Sequence, residues 1–128
     1  MRCAGLVAKL GNAGRPVDRD GSGTAAEVYP AASLKQWDLP YRGYKQPRNA
    51  GALTELVTAL LAAAPWLELG PHDRLCRTSH DALDAVIAAL TARAAALSLT
   101  LRPDPELQAR ASREGWIALP TAPLAALA

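Results

Sequence analysis

Leu53, Leu56, Val57, Leu60, Leu61 and Ala64 recur at intervals of three and four, and Leu83, Val86, Ile87, Leu90, Ala94 and Leu97 repeat the pattern later in the chain. Stripes of this period line one face of an α-helix, so two long amphipathic helices constrain the fold more than any other feature. Asn49 can cap the first helix and Thr78 or Ser79 the second, and Pro65 stops the first. The spacing predicts helices near 49–64 and 80–97. Residue type then limits how they pack. The 128 residues include 28 Ala and 20 Leu, three Trp, three Tyr and no Phe, so the core is expected to consist of small aliphatic side chains on closely approaching helices. A chain of this length builds one core and one domain, over 1–128.

The remaining segments are shorter. Leu6, Val7 and Leu10 sit at helical spacing ahead of the Gly11-Asn12 stop, which predicts a helix over 1–10. The stretch from Gly14 to Gly23, with Pro16 and Asp20-Gly21-Ser22-Gly23, has turn chemistry. Thr24 to Tyr29 reads as a short strand, and Pro30 opens a helix to about Trp37. Pro40–Pro47 reads as a loop and Trp66–Arg77, with Gly70-Pro71, as irregular; Pro103-Asp104-Pro105 opens a short helical piece. Glu114 to Pro120 reads as a turn and extended segment, leaving residues 121–128 as an Ala/Leu-rich tail open to disorder. The fold class expected from this order is α/β with helix in excess.

Charge excludes little but points to no dedicated nucleic-acid surface. The net charge of +2 divides into +4 over residues 1–50 and −2 over the rest, without the basic stripe common in nucleic-acid-binding domains. Arg outnumbers Lys 11 to 3, which together with the Ala excess follows GC-rich coding. The longest apolar run, Ala59–Leu67, is broken by Pro65 and is far short of the roughly 20 residues of a membrane span. Too short an apolar stretch precedes Lys9 to form a signal peptide, and Cys3 and Cys76 do not make a disulfide framework, so a cytoplasmic location is expected. His72, Cys76 and His80 with Cys3 make a weak zinc set, without the paired ligand spacing of a structural site.

Three acids and one loop carry the chemistry. On the second long helix Asp81 and Asp84 lie roughly 60° apart, on a flank continued by Ala88, Ala92 and Ala95. Acids in a first turn also complement the helix dipole. Glu27 stands alone in a short strand, where it either faces water at an edge or points toward the two aspartates as a third oxygen ligand for Mg²⁺ or Mn²⁺. Arg42, Tyr44, Lys45 and Arg48, with Tyr41, form the most basic loop, which suits either solvent or a phosphate and a stacked base.

Glu27-Val28-Tyr29-Pro30-Ala31-Ala32, Tyr44-Lys45, Asp81-Ala82-Leu83-Asp84-Ala85 with Ala88 to Arg93, and Glu114 to Pro120, in this order, resemble domain-of-unknown-function family 429. The Asp-x-x-Asp-Ala helix is also similar to the closing helix of Holliday-junction resolvases. The family is held to comprise nucleases with an RNase H-like fold. The resemblance implies hydrolysis of phosphodiester bonds with two Mg²⁺ or Mn²⁺ ions, Glu27, Asp81 and Asp84 as catalytic and metal-binding acids, and Asp84 as the most direct ligand. It also implies three opening strands, the first with a bridging aspartate, for which this chain offers no candidate. The chain is therefore expected to be the C-terminal part of an RNase H-like domain, truncated and nearly inactive as a nuclease. Its apolar surface is expected to be covered by a homodimer contact or a partner chain. The competing expectation is a catalytically silent interaction or structural domain.

Overall fold

The computed structural model describes residues 3–15 and 17–128, and places six α-helices among them: α1 (Cys3–Asn12), α2 (Pro30–Gln36), α3 (Ala50–Ala63), α4 (Asp73–Thr78), α5 (His80–Ala96) and α6 (Gln108–Glu114). Single 3₁₀ turns occupy Pro47–Asn49, Gly70–His72 and Leu124–Leu127. Met1, Arg2 and Pro16, which the expected first helix and turn include, lie outside the described residues, as does the side chain of Cys3.

The two long stripes become α3 and α5. Leu53, Leu56, Val57 and Leu60 of α3 are buried, as are Leu83, Ile87, Leu90 and Ala94 of α5, whereas Leu97 lies past the helix end and is 46% exposed. Ser79 caps α5 by accepting a hydrogen bond from the Ala82 amide (3.3 Å), while Asn49 makes no such bond and ends the 3₁₀ turn that feeds α3. α5 is the central element, packed against α2, α4 and the final 3₁₀ turn; α4 in turn packs on α3. Leu34, Leu56, Val57, Leu60, Leu83, Ile87 and Leu127 are wholly buried where these elements meet. One polar pair joins them. Thr91 and Ser33, both wholly buried, share a hydrogen bond of 2.8 Å between α5 and α2, and the Thr91 hydroxyl is 2.9 Å from the Ile87 carbonyl, so neither is left unsatisfied.

The structure departs from the sequence expectations in three places. The expected excess of helix is found, at 56% helical, but the strand component of the α/β class is not, for no strand forms among the described residues. Thr24 to Tyr29 does not form a ladder: Glu27 alone bridges Ile117 in parallel, with the Ala118 amide donating to the Glu27 carbonyl (2.8 Å), and a second isolated bridge joins Thr100 to Pro120. The first pairing ends where the Tyr29 carbonyl accepts from the Ala32 and Ser33 amides at the start of α2. The irregular segment expected over Trp66–Arg77 holds α4, where Pro71 sits in a 3₁₀ turn leading into a helix braced by the Asp73–Arg77 pair (2.8 Å) with Cys76 buried. The tail over 121–128 is packed instead of disordered, for Leu124 and Leu127 reach the core and Arg93 of α5 hydrogen-bonds the Leu127 and Ala128 carbonyl oxygens. No helix among the described residues is long and apolar enough to cross a membrane.

Candidate functional site

Asp84 lies in the second turn of α5, one turn beyond the Ser79 cap, on the side that faces the loop after Leu39. Gly43, at φ +78°, lets that loop turn back so that Tyr44 inserts beneath it and Lys45 stays at the rim. A side chain at Gly43 would also press on the Asn49 amide at 3.1 Å. Tyr44 is 5% exposed, and its hydroxyl donates to Asp84 Oδ1 at 2.7 Å. The Lys45 ammonium pairs with Asp84 Oδ2 and lies 5.5 Å from the Tyr44 ring centroid. The Asp84 side chain is 18% exposed against 47% for Lys45, so a sheltered carboxylate is held on one oxygen by a buried phenol and on the other by a cation free to leave into water. Burial first, and then the Asp84 hydrogen bond and charge, push the Tyr44 phenol well above its usual range, so it stays a donor.

The other two acids go elsewhere. Asp81 is 89% exposed, 3.2 Å from His80 Nδ1. Glu27 pairs with Arg19 at 3.1 Å, both side chains about half exposed. The same guanidinium donates to the Arg113 carbonyl (2.8 Å) and the Glu114 carbonyl (3.1 Å), tying the turn before Glu27 to the last carbonyls of α6. The Glu27 carboxylate lies over Gly115, where an added Cβ would meet it at 2.5 Å. Glu27, Asp81 and Asp84 therefore do not form one centre: among the described residues no group of three His, Cys, Asp or Glu is gathered to hold a metal ion. As folded, this acid set does not fit the two-ion arrangement the resemblance implies, because each of two acids already has a cation of the chain's own. His72, Cys76 and His80 form no metal group either, and burial pushes the Cys76 thiol up.

Of the basic loop, Tyr44 and Lys45 meet Asp84, Arg42 stacks on the Tyr41 ring at 5.1 Å, and Arg48 is exposed. Arg19 was not singled out by the sequence, since its value depends on α6 lying beside it, some ninety residues on in the chain. Asp20 is buried through both its own turn and α6. The Ser22 hydroxyl (2.6 Å) and amide (2.9 Å) hold its carboxyl below the usual range, and Gln108 of α6 adds a third donor. Arg77, Thr78 and His80 line a cleft with Tyr44 and Lys45 that sequence spacing could not assemble.

Residues 1–108 match the family described as "Protein of unknown function (DUF429)", and the chain belongs to that family. No curated protein and no solved structure matches it.

Proposed function

We propose that the chain is a nucleic-acid-handling domain of the RNase H-like nuclease class, in which Asp84 is the functional carboxylate and Tyr44 and Lys45 meet the phosphodiester. What supports this reading is that an acid and a basic loop, each singled out separately, converge on one sheltered carboxylate. Tyr44 fixes one oxygen of Asp84, while the half-exposed Lys45 can exchange a carboxylate for a phosphate without disturbing the core. Glu27 and Asp81 flank the reading as secondary acids, and Arg42 and Arg48 as further backbone contacts. Mg²⁺ or Mn²⁺ belongs to the same proposal, as an ion that competes with Lys45 for Asp84. So does a cytoplasmic setting, in keeping with the free, buried Cys76. A second copy or a partner chain would close over exposed Leu6, Leu97, Leu101 and Ile117.

A second reading, the catalytically silent interaction or structural domain, is favoured by one observation: Glu27 is committed to Arg19 and Asp81 to solvent, so the three acids share no centre. Labelled DNA and RNA oligonucleotides, followed by anisotropy across a salt series with and without Mn²⁺, separate the two. The nuclease-class reading expects salt-dependent binding that Lys45→Ala weakens about tenfold. It also expects a melting temperature raised by Mn²⁺ in the native chain but not in Asp84→Asn, and little cleavage by this chain alone. Absence of both binding and the Mn²⁺ shift would leave the silent domain standing.

A further inference from the structure

Beside Asp84, the 44–47 segment, α3, the end of α4 and the start of α5 enclose a cleft of about 450 Å³. That volume is in the range of small-molecule sites. Three basic side chains from three separate elements, Lys45, Arg77 and His80, line it, and no Asp or Glu does. Their acidic neighbours, Asp84, Asp73 and Asp81, all stand outside the lining, so each pair turns its nitrogen-bearing member toward the cleft.

Arg77 and Lys45 also have hydrogen-bonding capacity to spare. Arg77 uses Nε on Asp73 and Nη1 on Thr54 and Thr58, leaving Nη2 without a partner among the described residues. Lys45 has three donor positions and spends one on Asp84. His80 reaches the cleft with its ring, 43% of the side chain being exposed, while its Nδ1 is shut off from solvent beside Asp81 at 3.2 Å. Pro47, Ala50 and the buried Leu53 give the cleft an apolar wall, and the N-terminus of α5 reaches its rim at His80. An anion alone would use the charge and waste the wall; a phosphate attached to a flat, partly apolar group uses both.

We infer that this cleft holds one nucleotide unit, its phosphate between Lys45, Arg77 and His80 and its nucleoside against the wall of α3. The inference rests on the nuclease-class reading for its substrate and names the side chains that would grip it. When the phosphate draws Lys45 away, Asp84 is left with Tyr44 alone, so ligand binding and exposure of that carboxylate are one event.

The test uses NMR titrations of the whole chain with adenosine 5′-monophosphate, with inorganic phosphate, and with a short oligonucleotide. Native protein is compared with His80→Gln and with Arg77→Lys, which keeps the charge should loss of Arg77 impair folding. The expected result is that the mononucleotide shifts the resonances of residues 44–47 and 77–80, and that His80→Gln weakens both nucleotide ligands three- to tenfold while the melting temperature is unchanged. Oligonucleotide binding that depends on Lys45 but leaves residues 77–80 unmoved would overturn the cleft and keep the nuclease-class reading. Mononucleotide binding in the cleft with no oligonucleotide binding would keep the cleft and overturn that reading. Inorganic phosphate binding as tightly as the mononucleotide would overturn the nucleotide assignment.

Discussion

Tyr44 shows how a single hydroxyl ties a loop to a helix. Its hydrogen bond to a carboxylate that is mostly out of water is of the charge-assisted kind, so Tyr44→Phe is expected to lower stability by about 1.5 kcal/mol. The phenol also adds a pH dependence of known sign. In the unfolded chain it titrates near 10, in the folded chain higher, so the folded state keeps a proton the unfolded state has lost, and stability falls as the pH rises above about 10. Urea midpoints at about pH 8 and about pH 11 should diverge more in the native chain than in Tyr44→Phe. Gly115 makes a different demand. At φ 98° and ψ 163° it occupies backbone space that is essentially glycine's alone, under the Glu27 carboxylate. Gly115→Ala should lower stability by about 1–3 kcal/mol, and should break the Arg19–Glu27 pair, visible as loss of the Glu27 effect when the double variant is compared. Asp84 and Lys45 were legible in the sequence as chemistry-bearing residues. That they meet was not, because the meeting depends on a loop reversal at Gly43 that no periodicity encodes.

Helices α5 and α1 mark the two extremes of what an apolar stripe guarantees. Both show leucines at helical spacing and both form. In α5 the stripe is covered by α2, α4 and the tail, whereas Leu6 of α1 is half exposed. Propensity and capping thus predict that a helix exists, and only tertiary packing decides what its stripe contributes. Leu83→Ala, at a site with no solvent exposure, should cost about 2–5 kcal/mol; Leu6→Ala should stay within about 0.5 kcal/mol of the native chain. Chemical denaturation of the two variants checks both, and equal losses would mean that α1 is covered in solution. α4 escaped the sequence reading for a physical reason. Six residues are too few to show a period, Leu75 on its surface is 52% exposed, and Gly70-Pro71 resembles a break where it is in fact a helical entry. The expected strand over 24–29 forms no ladder, because a short run between a turn and a proline says nothing about whether a partner is present on both sides; here Glu27 finds Ile117 and the pairing stops.

At the scale of the molecule, the last eight residues close the core that the first half opens. Leu127 is wholly buried and Leu124 nearly so, and the two indoles beneath them, Trp37 and Trp66, donate to the carbonyl oxygens of Ala122 (3.2 Å) and Leu124 (3.3 Å). Arg93 holds the end of the chain from α5. Composition alone could not announce this, since Ala and Leu without period suit a tail as well as a lid, and the tryptophans that receive it lie more than fifty residues away. The tail therefore couples α2, the segment after α3, and α5, and its removal should be felt at all three. A chain ending at Thr121 loses two buried leucines and leaves two indole N–H groups without their acceptors. Each leucine is worth about 2 kcal/mol of burial and each unpaired donor costs about 1–3 kcal/mol, which together rival the whole stability of a small domain. Leu127→Ala is the milder form, expected to cost about 2–5 kcal/mol while keeping both acceptors. Tryptophan emission tells the two apart: it should shift to longer wavelength in the shortened chain as Trp37 and Trp66 meet water, and stay near native in Leu127→Ala. Native emission and stability in the shortened chain would mean that the lid is not part of the cooperative fold.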